Sequence, residues 1–391
     1  MLNSDLDSAL READRCVKCG LCLPHCPTYR LYANENESPR GRIALAEALL
    51  RGQLSDSEKV ADHLYRCLLC RRCEQACPSG VNYSLLLDAA RAKVPRTHWS
   101  HKLVTPGSLN DLLGKAARNI PLPGTLSALN RALPKQLDAP VPGIYPATQS
   151  NGQRLGLFLG CATRSQQPNA LHAAISVLNH LGFDVEVPAQ QTCCGALAQH
   201  QGDQATASQQ IDDNRQAFAT QTTLVSIASG CSLQLDESGT HTQVVDINSL
   251  LDQYFSHQAP ALRPLQARVA IHQPCTAVNG LQNGELAATL LSKIPGVEIL
   301  PLGTPGNCCG AAGDHLLTQR EQAITLRKPL LEQLLEFRPD YLVSSNIGCA
   351  LHLAEGAASA GQTLSVLHPV ELLAQQLAAA NASPIDINAV N

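Results

Sequence analysis

Eight of the chain's 16 cysteines fall in two copies of one pattern near the N-terminus. Cys16, Cys19, Cys22 and Cys26 precede Pro27, and Cys67, Cys70, Cys73 and Cys77 precede Pro78, so both copies read C-x2-C-x2-C-x3-C-P. Such a loop presents three thiolates to three irons of a [4Fe-4S] cube, and its backbone N–H groups hydrogen-bond and tune the cluster. In two-cluster ferredoxins the cysteine before the proline ligates the other cluster. The pattern therefore predicts two [4Fe-4S] clusters, one on Cys16, Cys19, Cys22 and Cys77, the other on Cys67, Cys70, Cys73 and Cys26. Structural zinc also takes four thiolates, but two complete quartets, each with its proline, favour iron and sulfide. His25, inside the first motif, reads as a hydrogen-bonding or solvent-facing neighbour and not as a ligand.

The remaining eight cysteines form a second duplicated set: Cys161, Cys193, Cys194 and Cys231, then Cys275, Cys308, Cys309 and Cys349. Each adjacent pair is followed by glycine, Gly195 or Gly310. Neighbouring cysteines rarely bridge each other, because the geometry is strained. Both can face one metal if the chain turns sharply, which glycine permits. Each set is expected to converge on an additional iron-sulfur or zinc site, the alternative being a buried thiol cluster without metal.

These cysteines punctuate an internal repeat with an offset of about 115 residues. Apolar runs at 155–160 and 269–274 lead to Cys161 and Cys275; Val185-Glu186-Val187 and Val297-Glu298-Ile299-Leu300 lead towards the pairs; Leu224-Val225-Ser226-Ile227 and Tyr341-Leu342-Val343-Ser344 precede Cys231 and Cys349. Strand and helix signals alternate, so each copy is expected to be an α/β unit with a parallel sheet. Its cysteines then stand at strand C-terminal ends, where open α/β sheets place their sites.

Upstream, Ile43 to Leu50 is rich in helix formers. Ser55-Asp56-Ser57-Glu58 resembles a capping box before Val60, Leu64 and Leu68, and another helix should follow Pro78 through Leu85, Leu86, Ala89 and Ala90. The expected organisation is α+β and multidomain: an α-helical ferredoxin-like domain at 1–95, a Pro-rich linker at 96–150 with a short helix from Leu109 to Ala117, and two repeated α/β domains at 151–260 and 261–391. A net charge of −4 and 3% aromatic residues give no reason to expect nucleic-acid binding. Sixteen cysteines in 391 residues are too dilute for a disulfide scaffold. The N-terminal residues lack the apolar core of a signal peptide, and no apolar run approaches the roughly 20 residues of a membrane span. An intracellular protein using its thiols for metal is expected.

Two ferredoxin motifs followed by two Cys-Cys-Gly domains resemble the iron-sulfur subunit family of glycolate oxidase (glycolate dehydrogenase). Related families include a lactate-utilisation iron-sulfur protein, the iron-sulfur subunit of anaerobic glycerol-3-phosphate dehydrogenase, and heterodisulfide reductase subunits. Supporting residues are Ser38-Pro39-Arg40-Gly41-Arg42, the stretch from Gly306 to Gly313, and Asn346-Ile347-Gly348-Cys349. The fullest form of the second motif ends in C-x2-C, whereas here Cys231 is followed by Ser232-Leu233-Gln234 and Cys349 by Ala350-Leu351-His352. Gln234 is a poor iron ligand; His352 stands where the missing cysteine would be and is expected near the thiols of the second copy, as a metal ligand or, alternatively, as a supporting or surface residue.

The chain has no G-x-G-x-x-G and no nucleophile elbow, so no catalytic residue is assigned. The resemblance implies an electron-transfer subunit that is not catalytic alone. A separate FAD-bearing subunit would oxidise glycolate to glyoxylate, with D-lactate a second substrate, and electrons would continue to a membrane quinone. It further implies a cytoplasmic protein, peripheral on the cytoplasmic face of the inner membrane. The alternatives are the iron-sulfur subunit of a lactate, glycerol-3-phosphate or heterodisulfide-type oxidoreductase, and a stand-alone ferredoxin-like carrier or redox sensor.

Overall fold

A computed structural model describes residues 3–96, 137–239, 242–257, 260–303, 308–362 and 364–377. The expected helix from Leu109 to Ala117 lies outside these residues. The N-terminal part is helical: α1 (Asn3–Asp14), α2 (Pro27–Tyr32), α3 (Pro39–Leu50), α4 (Glu58–Tyr65), α5 (Arg72–Gln75) and α6 (Tyr83–Lys93). Its core is built from Ala9, Ile43, Ala46, Leu64, Leu86 and Ala90, all buried. Side-chain caps set where the helices start. The Ser38 hydroxyl accepts from Gly41 N at 2.9 Å to begin α3, and Asn82 caps α6. Ser57, not Ser55, caps α4, accepting from Val60 N at 3.3 Å. The expected box is thus two residues out of place: Ser57 is the last extended residue before the helix, the position from which a hydroxyl reaches the N3 amide.

The first α/β unit runs β1 (Gly143–Tyr145), β2 (Arg154–Phe158), α7 (Cys161–Gln166), α8 (Pro168–His180), β3 (Asp184–Val187), α9 (Ala196–His200), α10 (Gln204–Ala217), β4 (Thr223–Ser226), α11 (Ser229–Glu237), β5 (Gln243–Asp246) and α12 (Ile247–His257). The second runs β6 (Ala267–His272), α13 (Leu286–Leu291), β7 (Val297–Leu302), α14 (His315–Thr318), α15 (Arg320–Phe337), β8 (Tyr341–Ser344), α16 (Ile347–Ser359), β9 (Ser365–Leu367) and α17 (Pro369–Gln376). The sheet orders are β1-β3-β2-β4-β5 and β7-β6-β8-β9. The order β3-β2-β4-β5 of the first copy is repeated in the second, parallel throughout. The first sheet adds β1 as an antiparallel edge, Gly143 opposite Val187. This strand lies in the segment read as linker. Its neighbours Pro142 and Pro146 are compatible with it because an edge strand has one unpaired side.

One apolar layer joins the two copies, with Leu171, Leu178 and Leu251 from the first and Ile271, Leu291 and Leu372 from the second. His368 Nε2 lies 2.7 Å from Ile227 O, and Ser229 N donates to Ser345 O at 3.1 Å, so the end of β4 is tied to the second copy. The helical part docks on both. The Tyr65 hydroxyl donates to Gln201 O at 2.7 Å, Arg71 pairs with Glu237, and Gln75 Nε2 donates to Asn279 O at 2.9 Å. Among the described residues, no helix is long and apolar enough to cross a membrane.

Candidate metal centres

The two ferredoxin loops share an unusual backbone. Lys18 and Gly20 in the first, and Leu69 and Arg71 in the second, all have positive φ, at matching places between their cysteines. Non-glycine residues seldom accept this conformation. It is tolerated where a left-handed residue beside a right-handed one turns successive N–H groups into an anion-binding nest, a device of many iron-sulfur sites. Each loop borders a hollow. One is lined by Cys16, Cys19, Cys22 and Cys77, the other by Cys26, Cys67, Cys70 and Cys73, and Pro39, Cys73 and Tyr83 form a wall common to both. Each hollow thus has its own four thiols, completed by the cysteine of the other motif, with Cys73 bordering the first as well; such a set suits a thiolate-ligated cube. A [4Fe-4S] cluster held there would supply one-electron exchange.

Behind the second hollow lies a buried charge network that explains Ser38-Pro39-Arg40-Gly41-Arg42. The Arg42 and Glu37 side chains are 1% and 0% exposed and form an ion pair. Arg42 also donates to Glu37 O at 2.7 Å, to Thr28 Oγ1 at 2.8 Å and, through Nε, to His63 O at 2.7 Å. The Glu37 carboxylate is bound in addition by His63 Nδ1 at 2.7 Å and Arg66 at 2.8 Å. Cys26 Sγ lies 3.3 Å from Thr28 Oγ1, so the network reaches a cysteine of the second hollow directly. Arg40 braces the first loop by donating to Lys18 O at 3.1 Å. Gly41 is obligatory because a Cβ there would sit 1.9 Å from Glu35 O.

In the C-terminal half the thiols of each copy meet. Cys193 and Cys161 sulfurs are 3.5 Å apart, and Cys194 hydrogen-bonds with Cys193 and Cys231. In the second copy Cys309 and Cys349 sulfurs are 2.8 Å apart, and Cys308 bonds with Cys309. Hydrogen bonding to Cys309, then burial, holds the Cys308 thiol well above its ordinary value, and burial pushes Cys275 up to about 12. These thiols keep their protons at neutral pH unless a metal displaces them, as metal binding to cysteine does. Arg72 acts on both Cys275 and Cys308 in the opposite sense, favouring thiolate. The second ferredoxin loop abuts this copy. Cys70 is raised by burial and then by the proximity of Cys275 and Cys308, and Asn279, just after Cys275, donates to Cys70 O at 2.7 Å.

The expected ligand His352 does not turn towards these thiols. Its Nε2 meets Ala323 O at 3.1 Å, and its Nδ1 faces Arg327 at 3.1 Å. It supports the Cys-Cys-Gly turn from behind, because the same Ala323 carbonyl packs against Gly310. The imidazole that does approach is His272, at the end of β6. It lies with Cys309 and Cys349 in a buried group whose candidate ligand atoms are all within 4.8 Å of one another. Burial alone lowers its basicity to about 4, so it is neutral at physiological pH. The sequence signal was available: His272 is a polar residue inside an otherwise apolar strand, three residues before Cys275.

Gly195 and Gly310 hold the two turns at φ +89° and +80°, where a side chain is strained. A Cβ on Gly310 would lie 2.5 Å from Ala323 O, against 3.1 Å from Ala207 O for Gly195. Gly310→Ala is therefore expected to lose about 1–2 kcal/mol from the left-handed backbone and more from the collision, and Gly195→Ala clearly less. Thermal unfolding of the two variants checks this; equal losses would show that the Ala323 contact is immaterial.

Comparison with known proteins agrees with this arrangement. Residues 12–81 match a 4Fe-4S dicluster domain family, and residues 155–236 and 269–354 match a cysteine-rich domain family. The chain is 33% identical to the glycolate oxidase iron-sulfur subunit of Escherichia coli (strain K12), over 95% of each chain. It is 28% identical to a probable glycolate oxidase iron-sulfur subunit of Bacillus subtilis (strain 168), over 93% of each. A fumarate reductase (CoM/CoB) subunit from Methanothermobacter marburgensis is 24% identical, over 92% of this chain and 71% of its own. With two ferredoxin-type cysteine quartets, a doubled Cys-Cys-Gly sheet unit and near full-length similarity, the chain belongs to the family of glycolate oxidase iron-sulfur subunits.

Proposed function

We propose that this chain is the electron-conducting subunit of a glycolate oxidase complex, in which a separate FAD subunit removes two electrons and two protons from glycolate to give glyoxylate. Flavins accept such electron pairs, and one-electron carriers then disperse them. On this reading, two [4Fe-4S] clusters occupy the N-terminal hollows, D-lactate is a second substrate, and a membrane quinone receives the electrons at the cytoplasmic face of the inner membrane. The observation that carries the proposal is the seat of the Cys70 loop beside Cys275 and Cys308, which joins the ferredoxin-type part to the second α/β copy by direct contact. A free ferredoxin-like carrier has no use for such a joint. The similarity to a fumarate reductase (CoM/CoB) subunit supports a second reading, a thiol- or disulfide-linked oxidoreductase.

Native purification of the full chain from its source, followed by flavin analysis and substrate assays, separates these readings. The expected result is a stable flavoprotein partner and reduction of an artificial acceptor with glycolate. Isolation without a flavoprotein, or glycolate oxidation by the purified chain alone, would overturn the proposal.

A further inference from the structure

Among the positions beside their thiols where the two α/β copies differ, one exchanges an apolar ring for an imidazole. The residue three before Cys275 is His272; the residue three before Cys161 is Phe158. Both end the equivalent strand, β6 and β2, and both are buried, at 4% and 1% exposure. Phe158 packs with Phe218, Leu224 and the Cys193 and Cys194 thiols, to which it offers only an apolar ring. His272 lies in the same way with Cys309 and Cys349, and offers them an imidazole. Its Nδ1 is 3.1 Å from Ser344 Oγ at the end of the adjacent strand β8. That hydroxyl donates to Asn346 O at 3.3 Å and accepts from Asn346 N at 3.2 Å. With its proton used on Asn346 O, Ser344 Oγ accepts from Nδ1–H, and the lone pair is left on Nε2. Among the described residues no other hydrogen bond to the ring is present. A histidine held through one nitrogen, with the other free of hydrogen bonds and the ring beside two thiols, has the form of a metal ligand with its supporting partner.

We propose that His272 ligates the metal of the second copy through Nε2, together with the Cys309 and Cys349 thiolates, so that this centre has mixed imidazole and thiolate ligation. The first copy, with Phe158 in the same place, has no such ligand. The inference rests on the reading that the second copy binds metal at all. Borderline-soft ions accept this donor set, either iron within a cluster or zinc. Imidazole in place of thiolate leaves an iron centre less negative and raises its reduction potential. Ser344 would then tune the site by fixing the ring, an arrangement whose loss weakens metal binding about 10–100-fold.

The test uses the full chain prepared anaerobically, with metal analysis, pulsed EPR for nitrogen coupled to iron, and X-ray absorption at the zinc edge. The expected wild-type result is a coupled imidazole nitrogen on iron, or a nitrogen in the zinc shell. In His272→Cys the metal content should be kept while the nitrogen signal disappears and, for iron, the potential falls. His272→Phe, which copies the first unit, should lose both nitrogen and metal, and Ser344→Ala should weaken metal retention against a chelator. A nitrogen signal unchanged in His272→Cys would overturn the ligand assignment while leaving a metal site in place. Equal metal content in wild type and Cys309→Ser would overturn the underlying site itself, and the assignment with it.

Discussion

Cys70→Ser in the assembled complex is expected to lower glycolate-dependent reduction of quinone or dye by more than about 100-fold, beyond the loss typical when only the support of a metal ligand is removed. Cys70 lines the second hollow with Cys26, Cys67 and Cys73. It also touches the second copy, where its ionisation is coupled to Cys275 and Cys308 and its carbonyl is held by Asn279. The substitution therefore strikes the expected cluster ligand set where it lies against the α/β half, while the Asn279 bond to the backbone carbonyl is kept. Rapid reduction of the flavin by glycolate should survive, because under the proposed function that chemistry belongs to the partner. Stopped-flow absorbance of the flavin, beside steady-state acceptor reduction, reads the two separately. Acceptor reduction at the wild-type rate would place electron flow elsewhere.

Arg42→Met is expected to destabilise the protein by about 3–5 kcal/mol, the range for breaking a buried ion pair by removing one partner. Glu37 would stay fully buried with His63 and Arg66 only, and Thr28 Oγ1 and two backbone carbonyls would lose a donor. The loss also removes a positive charge that acts on Cys26 and Cys67. An iron-sulfur centre there should become harder to reduce, since net charge is one of its main controls. Pairing Arg42→Met with Glu37→Gln should restore part of the stability, because no uncompensated charge stays buried, and part of the potential, because a negative charge leaves with the positive one. Denaturant unfolding and redox titration check the two halves of the prediction. A single-variant loss below about 1 kcal/mol, an ordinary surface effect, would mean that the network is not structural.

Much of this was legible in the residues because the relevant spacings are local. C-x2-C-x2-C-x3-C-P is one tight loop and its exit, and its meaning survives without knowledge of the fold. The repeat was legible for a related reason: strands β2, β4, β6 and β8 are short apolar runs, each stopping just before a cysteine or within a few residues of one. Local punctuation was less legible. The cap of α4 is Ser57 and not Ser55, and a strand of Gly143–Tyr145 was hidden among prolines, because pairing at a sheet edge depends on a distant partner, β3.

What linear order could not decide was which side chains meet. His352 lies three residues beyond Cys349, which suggested a shared ligand face. Three residues on a helix keep roughly the same face but rise about 4.5 Å, and at that height in α16 the ring of His352 is taken up by Arg327 and Ala323 of α15. His272 is far from Cys309 and Cys349 in sequence, but parallel pairing of β6 with β8 sets His272 opposite Ser344, at the mouth of the same site. Glu37, Arg42, His63 and Arg66 likewise come from separate turns and become one network only when α3 and α4 pack. The amino-acid sequence by itself determined the thiol inventory, the repeat and the family, because these are written in spacing. Only the tertiary structure decided which imidazole joins the thiols and which buried charges stand behind them, because those contacts depend on helix rotation and strand register.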